Sequence, residues 1–257
     1  MIDPLYTASG LLVGTLVGLT GIGGGSLMTP LLILAFGVHP ATAVGTDLLF
    51  AACTKMVGAM IYAGRQTIDW RITGRLLRGS MPAMVLSIGL LSLFKSHVDQ
   101  LAPVITLVLG LVLLLTAALL IFQKQAIRML PDWTAEGPGR LSRLTSGAGA
   151  VLGVLVSFSS VGAGALGVTA LTVLYPKQSL VRIVGSDIAH AIPLTLLAGC
   201  GYWSLGLVDW HLLTSLLTGS VPGIILGSLI ATMVPVPVLR TVLALTLSLS
   251  AARLIFG

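Results

Sequence analysis

The chain has 257 residues, of which 56% are hydrophobic and only 9% are charged, and its net charge is +6. Soluble proteins carry roughly 25% charged residues. This composition therefore excludes an ordinary soluble enzyme and predicts an all-α integral membrane protein. The apolar residues come in long runs that do not alternate, which argues against a β-barrel. Most lysines and arginines lie between these runs, so membrane topology explains the positive charge without a nucleic-acid partner.

The apolar residues form eight stretches, at 5–38, 41–63, 79–94, 101–122, 144–175, 183–203, 211–233 and 237–256. A span needs about 20 residues, so the first and fifth stretches are too long for one span. Both contain runs of small residues, at 21–25 and 159–164. Such runs weaken a helix, and irregular backbone is tolerated in a bilayer only inside protein or beside a water-filled cavity. We therefore predict two helical pieces around a break in each of these stretches.

A polar linker at 123–143 separates a first membrane repeat, 1–122, from a second, 144–257. The two halves match at a spacing of 140, and their breaks align at a spacing of 139. The matches include Gly45-Thr46-Asp47 with Gly185-Ser186-Asp187, Tyr62 with Tyr202, Asp69-Trp70 with Asp209-Trp210, and Pro82 with Pro222. Agreement of rare residues at one spacing predicts an internal duplication.

Equivalent segments of the two halves carry different charge. Segment 64–78 contains four arginines, whereas 204–218 contains no lysine or arginine. Because positive loops face the cytoplasm, this difference favours two inverted repeats, each a broken, re-entrant helix followed by about three transmembrane helices. That arrangement leaves only Lys95 and Arg253 outside and Lys55 within a span. A parallel arrangement, with four crossings in each half, leaves more positive residues outside.

The two breaks are the first candidate site. At the start of each second helical piece, free N–H groups and the positive end of the helix dipole suit an anion. Close packing is the alternative, and it best explains the Gly-x3-Gly series that begin at Gly10 and Gly219. The predicted substrate-binding residues are Thr20, Gly23, Gly24, Gly25, Ser26, Thr46, Ser159, Ser160, Gly162, Gly164 and Ser186.

Ionisable residues inside the spans are the second candidate site, because they are costly there. We assign proton coupling or gating to Asp47, Asp187, His190 and Lys55. Simpler roles stay open: the two acids as first-turn helix residues, His190 as a hydrogen-bonded core residue, and Lys55 as a side chain that reaches towards the membrane surface.

Other chemistry has little support in the sequence. Asp69 and Asp209, each followed by tryptophan, fit helix caps beside interfacial anchors. Cys53 and Cys200 fit small apolar groups. We found no nucleotide loop, metal cluster or nucleophile triad, so we expect no catalytic residue, no metal, no cofactor and no enzyme activity.

The residues of the first half resemble a known family, the TauE/SafE sulfite exporters, also called the toluene-sulfonate uptake permease family. The resemblance rests on Gly18-Leu19-Thr20-Gly21-Ile22-Gly23-Gly24-Gly25-Ser26 with Pro30, then Ala43-Val44-Gly45-Thr46, then Ile68-Asp69-Trp70. It extends over nearly the whole chain, although the second half has Ser159, Ser160 and Ala163 where the family prefers glycine.

This resemblance implies a multi-pass transporter of sulfite or small organosulfonates in a prokaryotic inner membrane. The expected partners are a small anion and the lipid bilayer, and the oligomeric state stays open, with a homodimer as one option. Two other classes also stay open: an intramembrane enzyme, and a membrane receptor or assembly protein.

Overall fold

The computed structural model describes residues 3–20, 25–62, 68–94, 97–129, 137–230 and 236–256, and it contains only helices there. In chain order these are α1 (Pro4–Thr20), α2 (Gly25–Phe36), α3 (Pro40–Tyr62), α4 (Trp70–Leu93), α5 (Val98–Met129), α6 (Pro138–Ser159), α7 (Ala165–Leu174), α8 (Leu180–Ser204), α9 (Trp210–Ile230) and α10 (Val236–Phe256). Six of them, α3, α4, α5, α6, α8 and α9, are long and apolar enough to cross a bilayer. The prediction of an all-α, multi-pass membrane protein is confirmed.

Several helices extend beyond the predicted apolar stretches. Helix α4 begins at Trp70 rather than near residue 79, so its arginines lie on a helix and not in a loop. The Asp69 carboxylate explains this start, because its Oδ1 accepts hydrogen bonds from the N–H groups of Arg71 (3.0 Å) and Ile72 (3.3 Å). Arginine is tolerated in the first turns of a span because its long stem reaches the membrane surface. The prediction that Asp69 caps a helix is therefore confirmed. The prediction that segment 64–78 is a loop between apolar stretches is wrong from Trp70 onwards.

The predicted linker is also partly helical. Helix α5 continues to Met129, and α6 begins at Pro138. Residues 130–136, in the middle of the predicted linker, lie outside the described part of the chain. The polar composition of 123–143 did not predict where α5 ends and α6 begins. The backbone hydrogen bonds inside a helix form whether its last turns are apolar or polar.

Helices α1 and α2 bring their outer ends together. Tyr6, near the start of α1, lies against Phe36, the last residue of α2, with the ring centroids 4.8 Å apart. In the second half, the hydroxyl of Thr145 on α6 lies 2.8 Å from that of Tyr175, which ends α7. Both pairs obey the 139-residue spacing of the breaks. Because a helix rises about 1.5 Å per residue, the 12 residues of α2 and the 10 of α7 are too short to cross a hydrocarbon core of about 30 Å.

Small residues hold two helix pairs in close contact, α1 with α9 and α4 with α6. A Cβ atom added to Gly10, Gly14 or Gly18 of α1 would overlap backbone atoms of Leu216, Ser220 or Ile224 on α9. On α6, Gly149 and Gly153 lie in the same way against Leu76 and Ser80 of α4. The packing interpretation of the Gly-x3-Gly series is confirmed, and each close pair joins one half of the chain to the other.

Helices α3 and α8 occupy the centre of the molecule. Buried residues make up 67% of the α3 span and 50% of the α8 span, compared with 28% of α4. The two helices are antiparallel, since Gly45 lies against Tyr202 and Gly199 lies against Leu49. The buried ionisable residues Asp47, Lys55, Asp187 and His190 therefore lie on the two most buried of the six candidate spans.

The close contact between α4 and α6 predicts a difference between two neighbouring glycines. Gly149→Ala should destabilise the protein by about 1–3 kcal/mol, because its new methyl group would overlap the backbone of Leu76. Gly147→Ala, two residues away, meets open space and should be neutral or stabilise the helix by up to about 1 kcal/mol. Thermal unfolding in detergent measures both variants, and equal melting temperatures would contradict the close packing.

Candidate functional site

The break in the second half follows the prediction. Helix α6 ends at Ser159, and Ser160 then takes the left-handed conformation with φ of 56°. Gly162 and Gly164 have φ of 125° and 141°, which residues with a side chain rarely adopt. Helix α7 begins immediately afterwards at Ala165. The small residues are needed here because the backbone has to leave one helix and begin another within five residues.

The break in the first half is described only at its two sides. Helix α1 ends at Thr20, and α2 begins at Gly25. The predicted binding residues Gly23 and Gly24 lie outside the described residues, as do the side chains of Thr20 and Ser26. Their predicted role stays a prediction.

Lys55 of α3 connects the central helices to the second break. Its side chain is only 6% exposed, and its Nζ donates a hydrogen bond of 2.8 Å to the backbone carbonyl of Ala163. The carboxylates of Asp187 and Asp47 both act electrostatically on this ammonium. A buried lysine bonded in this way does not reach the membrane surface, and its role in proton coupling or gating stays a prediction.

Asp47 lies in the second turn of α3 and is fully buried. One of its carboxylate oxygens, Oδ2, accepts a hydrogen bond from the hydroxyl of Thr29 on α2. Oδ1 has no hydrogen-bond partner among the described residues. The hydroxyl of Ser160, at the second break, is buried and also has no described partner. Asp47 therefore contacts the second helical piece of its own half.

Asp187 is the equivalent residue on α8 and is equally buried. A Cβ atom added to Gly167, in the first turn of α7, would overlap Asp187 Oδ1. The carboxylate therefore lies directly against the start of α7, where the helix dipole favours negative charge. Within the described residues, Oδ1 accepts no hydrogen bond.

His190 lies one turn further along α8 and is fully buried. Its Nε2 is 2.9 Å from the hydroxyl of Ser80 on α4, whereas Nδ1 lacks a partner in the described part of the chain. The repeat has Phe50 at the position equivalent to His190, and Ser220 is the equivalent of Ser80. Ser220 is buried without a described partner, as expected where phenylalanine replaces the histidine.

Three predicted hydroxyl donors make other hydrogen bonds. Thr46 accepts from the N–H of Asp209 (3.1 Å), and Ser186 accepts from the N–H of Asp69 (2.8 Å). The Ser159 hydroxyl lies 2.6 Å from the carbonyl oxygen of Leu155, in its own helix. Thr46 and Ser186 each connect their helix to the start of a helix of the other half, whereas Ser159 bonds within α6 and to Val161 of the second break.

Four contacts of the cluster were missed by the sequence interpretation. Thr29 donates to Asp47, the Ala163 carbonyl accepts from Lys55, Gly167 borders Asp187, and Ser80 pairs with His190. Only Ser80 gave a signal, because it belongs to the matched Gly79-Ser80 and Gly219-Ser220 pairs. The other three residues do not stand out in a glycine-rich apolar sequence.

A family model described as sulfite exporter TauE/SafE matches residues 6–254. The chain belongs to the TauE/SafE sulfite exporter family. Similar curated proteins include the probable membrane transporter protein YjnA of Bacillus subtilis, 38% identical over 96% of this chain and 97% of the relative. YdhB of Bacillus subtilis, also named a probable membrane transporter protein, is 27% identical over 95% and 97% of the two chains. No solved structure matches the chain.

The family and these relatives identify the chain as a membrane transporter, which confirms the resemblance found in the sequence. A probable membrane transporter protein of Xylella fastidiosa is 28% identical over 84% of this chain and 79% of its own. A transporter of this family works in a bilayer and moves a small substrate. Burial of four ionisable side chains on two central helices is consistent with that activity, because such residues mark ion and substrate pathways in membrane proteins.

Ser80 and Ser220 occupy equivalent positions in the two halves but have different surroundings, so the same substitution should have different effects at the two positions. Ser80→Ala would leave His190 without a partner at Nε2 and should destabilise the protein by about 1–3 kcal/mol. Ser220→Ala removes a buried hydroxyl that has no described partner, so it should be neutral or stabilising. Thermal unfolding of both variants in detergent makes the comparison, and a larger loss for Ser220→Ala would disprove the assigned contacts.

Proposed function

We propose that this TauE/SafE transporter carries a small sulfur oxyanion, of the sulfite or organosulfonate class, across a prokaryotic inner membrane. In this proposal the anion binds where the two helix breaks meet the central helices, and protons move with it. The family's name supports the substrate class, and its bacterial relatives support the location. The buried cluster of Asp47, Lys55 and Asp187 supports the site.

The observation that carries the proposal is the contact between Lys55 and Ala163. It puts a buried ammonium at the break, next to the first turn of α7. The first N–H groups of a helix have no partner within that helix and point towards its N-terminal side. An ammonium and a helix N-terminus both attract an anion. Irregular backbone at this depth is consistent with a transport pathway, because it is tolerated where it borders a cavity or packed protein.

Two hydrogen bonds support the proposal that the halves are inverted repeats. Ser186, near the start of α8, bonds to Asp69 at the start of α4, and Thr46, near the start of α3, bonds to Asp209 at the start of α9. Helix α4 begins on the side where α3 ends, so α8 begins there too and runs opposite to α3. The equivalent helices of the two halves then have opposite directions in the membrane.

The outer ends of the broken pairs support a re-entrant first element in each half. Since Tyr6 meets Phe36 and Thr145 meets Tyr175, each pair enters the membrane and returns to the same side. Three full spans then follow in each half, with α10 taken as a span. Arg71, Lys177 and Arg182 lie near the contact between Asp69 and Ser186 in this arrangement, which assigns that side to the cytoplasm.

Proton coupling is supported by the charges that surround Lys55. With both aspartates ionised, an incoming anion would meet two carboxylates and one ammonium. Protonation of a carboxylate removes this repulsion, and taking the group out of water favours its neutral form. His190 offers a further buried proton acceptor one turn from Asp187.

Flux through purified protein tests the proposed function directly. We expect proteoliposomes to take up sulfite, or a related sulfur anion, in a screen that includes sulfate, thiosulfate and small sulfonates. Empty liposomes are the control, and an imposed pH gradient should change the initial rate if protons are coupled. Purified, folded protein that moves none of these anions would overturn the proposal and favour a receptor, assembly or enzymatic role.

Equivalent positions of the two halves test the inverted arrangement. Ile68→Cys and Val208→Cys are 140 residues apart, before α4 and α9 respectively. In a background with Cys53 and Cys200 replaced, an impermeant thiol reagent should label Val208→Cys from outside the cell. Ile68→Cys should react only after the membrane is opened. Labelling of both positions from one side would favour parallel repeats.

Gly164 tests the role of the second break. Gly164→Ala should abolish transport, because φ of 141° is strained for alanine and the start of α7 would shift away from Lys55. The control is Gly58→Ala on α3, whose new methyl group meets no neighbour and should leave transport unchanged. Both variants are measured for flux and thermal unfolding, and normal flux in folded Gly164→Ala would show that the anion binds elsewhere.

A further inference from the structure

The cluster between α3 and α8 contains two acids but a single cation. Lys55 is the one lysine or arginine among the buried residues that the structure describes. Its equivalent in the second half is Thr195, so the described cluster contains one ammonium rather than one from each half. Any anion that binds at the cluster has to share this ammonium with the two carboxylates.

Asp187 depends on Lys55 more than Asp47 does. Asp47 accepts a hydrogen bond from the hydroxyl of Thr29 on α2. Asp187 lies against Gly167 in the first turn of α7, four residues after Ala163, whose carbonyl accepts the hydrogen bond from Lys55. Its Oδ1 accepts no hydrogen bond in the described part of the chain. Removal of the ammonium would therefore leave the Asp187 carboxylate with little compensation, and such a charge is very costly in a buried site.

No other lysine or arginine among the described residues is buried beside Asp187. On its own helix, His190 is bonded to Ser80 of α4. Nearer the start of α4, the guanidinium of Arg75 is 3.1 Å from the hydroxyl of Tyr175, which ends α7. The start of α7 presents Gly167, and the arginines of α6 lie in its first two turns. Besides Lys55, α3 contributes only the carboxylate of Asp47 as a charged group.

Building on the proposed function, we infer that the substrate replaces Asp187 as the partner of Lys55, so that one singly charged oxyanion binds together with one proton. The proton goes to the Asp187 carboxylate, and the anion then pairs with the ammonium. The number of charges in the site is unchanged by this exchange. A doubly charged anion would leave one charge without a partner in a buried site, so it is rejected.

Binding to the purified transporter tests this exchange without a membrane. The probes are methanesulfonate, which stays singly charged, and sulfate, which is doubly charged. By calorimetry, the Kd for methanesulfonate should rise about tenfold for each pH unit above the range in which Asp187 titrates. Sulfate should bind at least about tenfold more weakly than methanesulfonate at every pH.

Three variants assign these effects to the two residues. In Asp187→Asn, the Kd should change less than about twofold over the pH range in which the Kd of the unaltered protein rises, because no proton has to be taken up. In Lys55→Met, binding should be lost. The double variant Lys55→Met with Asp187→Asn removes both charges, so no unpaired charge is left buried and the protein should fold. This double variant should also fail to bind. Asp99→Asn is the control, since Asp99 is fully exposed and contacts His39; it should keep the pH dependence of the unaltered protein.

The outcomes separate this inference from the proposed function. Asp187→Asn with the original pH dependence, a folded Lys55-lacking variant that binds methanesulfonate, or sulfate bound as tightly as methanesulfonate would each overturn the inference alone. Failure of the unaltered, folded protein to bind or move any sulfur oxyanion would overturn the proposed function and the inference with it.

Discussion

The centre of this transporter is organised around one buried ammonium, that of Lys55, whose charge has to be compensated by neighbouring groups. Lys55 is a charged group inside a membrane span, so its burial is tolerated only with partners supplied by the protein. One partner is a backbone carbonyl, that of Ala163, which is available because the break ends the regular hydrogen bonding of α6. The others are two carboxylates that also lack full hydrogen bonding among the described residues. The ammonium and the free carbonyl of the break therefore satisfy each other.

Close helix packing places these partners within reach of one another. The glycines of α1 and α6 let the backbones approach α9 and α4, so each broken pair is attached to a helix of the other half. The two halves also contact each other at the helix starts, where Thr46 and Ser186 accept hydrogen bonds from the N–H groups of Asp209 and Asp69. Small residues are the common means of association in membranes, because lipid gives no hydrophobic reason for apolar helices to pack.

Departures from symmetry are informative because the duplication is otherwise close. Lys55 and His190 each occur in one half only, opposite Thr195 and Phe50. The two equivalent serines differ accordingly. Ser80 bonds to His190, whereas Ser220 retains a buried hydroxyl without a described partner. The charged centre lies between α3 and α8, so both halves share one lysine and one histidine.

The sequence alone determined the class of protein, the duplication, the positions of both breaks and the buried ionisable residues. Each of these follows from composition or from the local pattern, since few charges, long apolar runs and glycine clusters have physical consequences wherever they occur. Helix ends were less predictable, as at α4, because Asp69 caps a helix whose first turns carry arginines. Only the tertiary structure decided that Lys55 meets Ala163, 108 residues away, and that Thr46, Ser159 and Ser186 bond elsewhere. Such pairings depend on how helices of the two halves pack against each other, and no local sequence pattern encodes the partner that packing brings to a side chain.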